Sequence, residues 1–330
     1  MDTAPFQPLK LTTWRPNWVD AAWPGQTQPV PQPKVWVWLV GVVWLAVQAV
    51  ARYQIDALKA RWMLPFFVAL SYGVILLAMT RAHGWIRPTK QGLIVQIAGI
   101  VGFLSFWYLG RIDAFYRFWG HLQPGFGSWA PVVPFAYFAV CGVLFRTTLP
   151  IVAAKLVGLR LRDLGLATPG RPPSFATMRG TGWMYAVLYA GVFPFVWWTA
   201  GTAVFQAKYP LARELVAPDG GLSLTHFVVY QSFYSLVFLS GESLWRGLLT
   251  FSLARTHGCY AILLMLVPYS ITHYGKPLSE TLGSLVAGTL LGFLALRHGT
   301  VWSGVVLHHG VALTMDLLAV GRGPAWFKWP

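Results

Sequence analysis

Runs of apolar residues about as long as a lipid bilayer is thick recur along the whole chain. They fall at about 35–50, 62–80, 92–110, 130–158, 181–205, 226–253, 259–273, 281–297 and 300–320. A helix needs roughly 20 predominantly apolar residues to cross the hydrocarbon core. The pattern predicts an all-α polytopic membrane helix bundle of about 7–9 transmembrane helices. Charge supports this, since only 11% of the residues are charged, against about a quarter in soluble domains. The 18 Trp and 21 Phe suit a chain that meets two membrane interfaces.

The formal charge is +15, from 25 Lys and Arg against 10 Asp and Glu. A nucleic-acid partner would need these cations gathered on one polar face. They are instead scattered through short loops between apolar runs, where they set topology and favour contact with anionic membrane lipids. No nucleic-acid partner is expected. Lys10, Arg15, Lys34, Arg81, Arg87, Lys90 and the basic residues of 155–180 would share one side. That bias predicts a cytoplasmic N-terminus. Cys141 and Cys259 are too few for a disulfide framework and read as small buried hydrophobes.

The organisation expected is a Pro-rich tail at 1–33, membrane helices at 34–158 and a basic polar loop at 159–180. A membrane core at 181–320 and a tail at 321–330 complete it. The first 33 residues carry seven prolines and no apolar core, so they are not a signal peptide. No internal repeat is visible.

Polar residues in the back half point to chemistry. In "SGESLWRG", Glu242 and Arg246 lie four apart within an apolar run, on one helix face with the favourable order of charges. A charge at membrane depth costs several kcal/mol unless paired, and so marks a function or a structural ion pair. His273 and Glu280 flank the turn "YGKP" in 268–284. His308, His309 and Asp316 lie in "VWSGVVLHHGVALTMDLL", with His309 and Asp316 seven apart and so nearly on one helix face. Each histidine alone reads more simply as a packing residue. His257 and His298 fall in expected loops and are set aside.

Together the set suits hydrolysis. A buried carboxylate of raised pKa can take a proton from water, and histidines can orient that water and stabilise a developing oxyanion. Histidine and glutamate are also zinc ligands, but no H-E-x-x-H is present. Ser243 lacks the G-x-S-x-G frame of a serine hydrolase. No cofactor is expected from these residues, and a zinc dependence stays open.

In order and spacing, "GESLWRG", "YSITH" and "HHGVALTMD" resemble the CAAX-protease and bacteriocin-processing (CPBP, or ABI) intramembrane glutamic peptidases. That family carries Glu-Glu-x-x-x-Arg, Phe-x-x-x-His and His-x-x-x-Asn/Asp. The resemblance spans 226–320. Gly241 stands where the first glutamate would be, Tyr269 replaces the Phe, and Ala312 stands at the Asn/Asp position. The run from His273 to Leu318 resembles a bacterial subgroup with a single glutamate, GKP-x-x-E and an Asp eight after the histidine. Some of its members resemble myxosortases, which trim C-terminal membrane anchors.

The resemblance implies a multi-pass protein of the bacterial inner membrane and an intramembrane endopeptidase. Glu242 would activate water, Arg246 would orient Glu242, and His273 and His308 would position the water and the oxyanion. His309, Asp316 and Glu280 would support them. The substrate implied is a membrane-anchored or lipid-modified protein, cut at a C-terminal sorting signal or a leader peptide. The alternative is a peptidase-like immunity or scaffold protein that does not cut. A proton-coupled transporter fits less well, because transporters often carry two matching halves. The stretch "GSLVAGTLLG", with Gly283, Ala287, Gly288 and Gly292, has the small-residue spacing of close helix packing.

Overall fold

The structure, a computed structural model, describes residues 31–166, 183–211 and 223–322. Most of the Pro-rich tail, the basic loop from 167 onward and the C-terminal tail from 323 onward lie outside the described residues. All named elements are helical. Within the described residues the one β contact is an isolated bridge between Tyr274 and Lys276.

Among the described residues thirteen α-helices run α1 Val35–Gln54, α2 Leu64–His83, α3 Lys90–Ser105, α4 Ile112–Trp119, α5 Val133–Gly142, α6 Leu149–Leu156, α7 Trp183–Thr199, α8 Ala203–Gln206, α9 Leu224–Glu242, α10 Ser252–His257, α11 Tyr260–Ile271, α12 Leu278–His298 and α13 Trp302–Arg322. Three π-helical runs, Phe106–Gly110, Val143–Thr148 and Ser243–Phe251, continue α3, α5 and α9. Such runs are rare and collect at functional sites.

Six helical stretches among the described residues are long and apolar enough to cross a membrane: Val35–Gln54, Arg61–His83, Lys90–Gly110, Val133–Leu156, Leu278–His298 and Trp302–Gly321. This is the make-up of a multi-pass membrane protein. These six, counted over the described residues, do not confirm the seven to nine expected of the whole chain. The run at 259–273 forms the shorter α11. Within the runs at 181–205 and 226–253, helices α7 and α9 are not among the six.

Two compact units divide the described residues. One holds 31–101, 150–166 and 243–301; the other holds 102–149, 183–211, 223–242 and 302–322. In the first unit α11 is buried along its whole length and is packed by α1, α2, α12 and the π run Ser243–Phe251. The small residues of α12 make this approach possible. A Cβ on Gly288 would sit 2.6 Å from Leu266 and Tyr269, and one on Gly292 would sit 2.6 Å from Ile262. Gly283 meets open space and plays no such part.

In the second unit α9 packs against α5 and α13, and α13 also packs against α7. Phe135, Tyr230 and Tyr234 form the aromatic centre of this unit, with ring centroids 4.6 to 5.5 Å apart. Outward faces are apolar in both units. Leu39, Val43 and Val47 of α1 and Val306 of α13 are more than half exposed, as lipid-facing residues would be. Cys141 and Cys259 are buried free thiols, as expected. His257 and His298 are not in loops; they close α10 and α12 and are buried.

Candidate functional site

The second unit buries a carboxylate–imidazole pair. Glu242 is the last residue of α9 and is 1% exposed. His308, on α13, donates from Nδ1 to Glu242 Oε1 at 2.9 Å. Its side chain is 27% exposed, so the pair is not sealed on the imidazole side. Gly304 lies one turn before His308 and faces the same carboxylate. A Cβ there would sit 2.8 Å from Glu242 Oε2. Only glycine leaves the carboxylate its present position, a requirement the motif pattern does not reveal.

A second buried carboxylate lies further along α13. Asp316 is fully buried, and its Oδ2 accepts from the Tyr230 hydroxyl and the Gln231 amide, each at 2.8 Å. The Gln231 carbonyl oxygen lies 3.3 Å from His309 Nε2. Phe238 of α9 packs against both histidines, with centroids 4.6 Å from His308 and 5.7 Å from His309. The structure thus brings Glu242 to His308, and His309 to Asp316 through a glutamine.

Arg146 in the π run after α5 is also buried here. It donates to Ser240 Oγ at 2.6 Å and to the Val237 carbonyl at 3.1 Å, and its guanidinium lies 4.2 Å from the Phe106 ring centroid. It therefore anchors the last turns of α9 before Glu242. Its signal in the sequence is a cation in the middle of the apolar run 130–158, costly at membrane depth without such partners.

The first unit holds the remaining motif residues. Arg246, fully buried, lies with its guanidinium 4.5 Å from the Tyr269 ring centroid. Tyr269 stands edge-on to His273 with centroids 5.0 Å apart. His273 donates from Nδ1 to the Tyr269 carbonyl at 3.1 Å, which leaves Nε2 as its lone-pair nitrogen. Tyr269 thus supports both the arginine and the histidine.

Front-half residues hold the turn after His273. Thr281 donates to the His273 carbonyl at 2.9 Å. Tyr53 of α1 bonds to the Lys276 carbonyl and lies 2.8 Å from Thr281 Oγ1. Gln48 donates to the Tyr274 hydroxyl at 3.2 Å, and its own carbonyl accepts from Ser71. Glu280 pairs with Lys276 at 2.5 Å, bracing the same turn. Among the described residues, no group of three or more His, Cys, Asp and Glu is arranged to hold a metal ion.

Comparison with protein families matches residues 223–314 to Rce1-like proteins, described as type II CAAX prenyl endopeptidase Rce1-like. The matched stretch contains Glu242, Arg246, His273, Glu280, His308 and His309 and ends before Asp316. The resemblance expected from the motifs therefore stands for this part of the chain, and the family is one of proteases. Comparison with curated proteins and with solved structures gave no match.

Proposed function

We propose that this chain is an intramembrane endopeptidase in which Glu242 activates the attacking water. One observation carries the reading: a 1% exposed carboxylate bonded to a partly open imidazole, Glu242 to His308, inside the stretch similar to a protease family. In this reading water enters from the His308 side and gives its proton to Glu242, and the resulting hydroxide attacks the peptide carbonyl. His308 Nδ1–H holds the carboxylate oriented, and donors aimed at the developing oxyanion lower the barrier. The family resemblance implies that His273 would stabilise the oxyanion and that Arg246 would orient the glutamate. Collapse of the tetrahedral intermediate returns the proton to the leaving amine.

The substrate class proposed is a membrane-anchored or lipid-modified protein, cut at a C-terminal sorting signal or a leader peptide in a bacterial inner membrane. Its apolar anchor would reach the site through the lipid, which suits a protein whose helices expose apolar faces.

The test deletes the gene and re-expresses wild type, Glu242→Gln, His308→Ala and His273→Ala at equal levels. Membrane and secreted proteomes are then compared. Shortened anchored proteins restored by wild type and by none of the variants support the reading. Restoration by Glu242→Gln would leave the pair as a structural device in a protein that binds without cutting.

A further inference from the structure

Two histidines adjacent in the chain face two different carboxylates. His308 Nδ1 meets Glu242 Oε1 directly. A carboxylate only accepts, so His308 carries its proton on Nδ1 and its lone pair on Nε2. His309 reaches Asp316 through Gln231. The Asp316 carboxylate accepts from Gln231 Nε2, which fixes the direction of the amide. The amide oxygen is thereby turned toward His309 Nε2. An amide oxygen also only accepts, so His309 carries its proton on Nε2 and its lone pair on Nδ1.

Exchange of these states is hindered on every side. Turning the Gln231 amide would set its oxygen against a buried carboxylate, and an unpartnered buried acceptor is costly. Rotating either ring would disturb its packing on Phe238. Tyr234 stands edge-on to His309 as well. A fully buried aspartate at membrane depth is expensive and is retained for a purpose. Here its purpose would be to orient a glutamine.

We infer that His308 and His309 are held in opposite neutral tautomers, the first by Glu242 and the second by Asp316 through the Gln231 amide. Asp316 and Gln231 are then positioning residues. Their product is a second basic nitrogen, His309 Nδ1, next in sequence to the pair that meets the water. Resting on the peptidase reading, this gives the site one more imidazole nitrogen able to take up a proton and hand it on. The hydrogen-bonding partner that fixes a histidine's second nitrogen commonly decides such states.

The test is nitrogen-15 NMR of histidine-labelled full-length protein in detergent micelles at about pH 8, above the ordinary histidine range. Lone-pair and protonated ring nitrogens resonate far apart. Loss of signals in His308→Gln and His309→Gln assigns the two rings. The expected wild-type result is Nδ1–H for His308 and Nε2–H for His309. Gln231→Met removes the acceptor and Asp316→Asn frees the amide to turn, so each should convert His309 to a mixture while His308 keeps its state.

A wild-type His309 protonated on Nδ1 overturns the inference, as does a His309 state unchanged in both variants. Asp316→Asn is isosteric and serves if Gln231→Met does not fold, and the wild-type spectrum decides on its own if neither does. Because the readout is spectroscopic, opposite tautomers in a protein that trims no substrate would uphold the inference and sink the peptidase reading.

Discussion

Gly304→Ala separates the position of the glutamate from the stability of the fold. The new Cβ would lie 2.8 Å from Glu242 Oε2, about 0.7 Å inside the ~3.5 Å at which carbon contacts become attractive. Helix backbone moves reluctantly, so the carboxylate must retreat by most of that distance and its bond to His308 must stretch or turn. Catalytic groups tolerate about 0.5 Å of displacement, and 1 Å costs about 100-fold in rate. Turnover should therefore fall about 10- to 100-fold, chiefly in kcat. Stability should move the other way or hardly at all. Alanine is better than glycine inside a helix by about 0.5–1 kcal/mol, which offsets the modest strain of shifting the end of a flexible side chain. The assay pairs cleavage of a substrate found in the proteome comparison with thermal unfolding in the same micelles. Full turnover at unchanged stability would refute the argument, because a carboxylate that can be displaced without effect is not the reacting group.

Two further expectations rest on the same structure. Tyr53→Phe removes the hydroxyl that ties α1 to the Lys276 carbonyl beside Thr281, and should cost about 1 kcal/mol, read as a lower Tm. An unchanged Tm would mean that Thr281 alone secures the turn after His273. His257, outside the six span-length helices, is 3% exposed, and burial pushes its pKa down to about 4. Between that value and the unfolded value near 6.5 the unfolded chain binds the extra proton, so stability falls as pH falls through this window. The full loss is about 3 kcal/mol. His257→Gln should flatten the dependence of Tm on pH there, and an unaltered slope would assign the loss to other groups.

Helical membrane architecture was legible because bilayer-length apolar runs admit few alternatives. The motif residues were legible for a related reason, since Glu242, Arg246, His273, His308 and Asp316 stand out against lipid-grade sequence. What escaped was the environment that makes them useful. Gln231 is an ordinary polar residue until Asp316 and His309 are found on either side of it. Gly304 is one of 33 glycines, and its role exists only because α9 and α13 bring it to Glu242. Tyr53 and Gln48 lie more than 200 residues from the turn they hold, a separation that no local pattern spans. His257 and His298 were misjudged as loop residues because each sits at a helix end, where the pattern is least distinct.

The π run Ser243–Phe251 also makes the helix sensitive to its own length. Each i→i+5 turn accommodates a residue that an α-helix would exclude, so this helix holds a surplus in its count. Deleting one residue of the run removes that surplus, and a helix rewound as α would keep its flanking residues nearly in phase, whereas one further residue in α geometry, at 3.6 residues per turn, turns everything beyond it by about 100°. The helix thus has a reading frame of its own, set by length as well as by residue type. A sequence that kept every motif residue but gained one neighbour would preserve the letters and lose their phase.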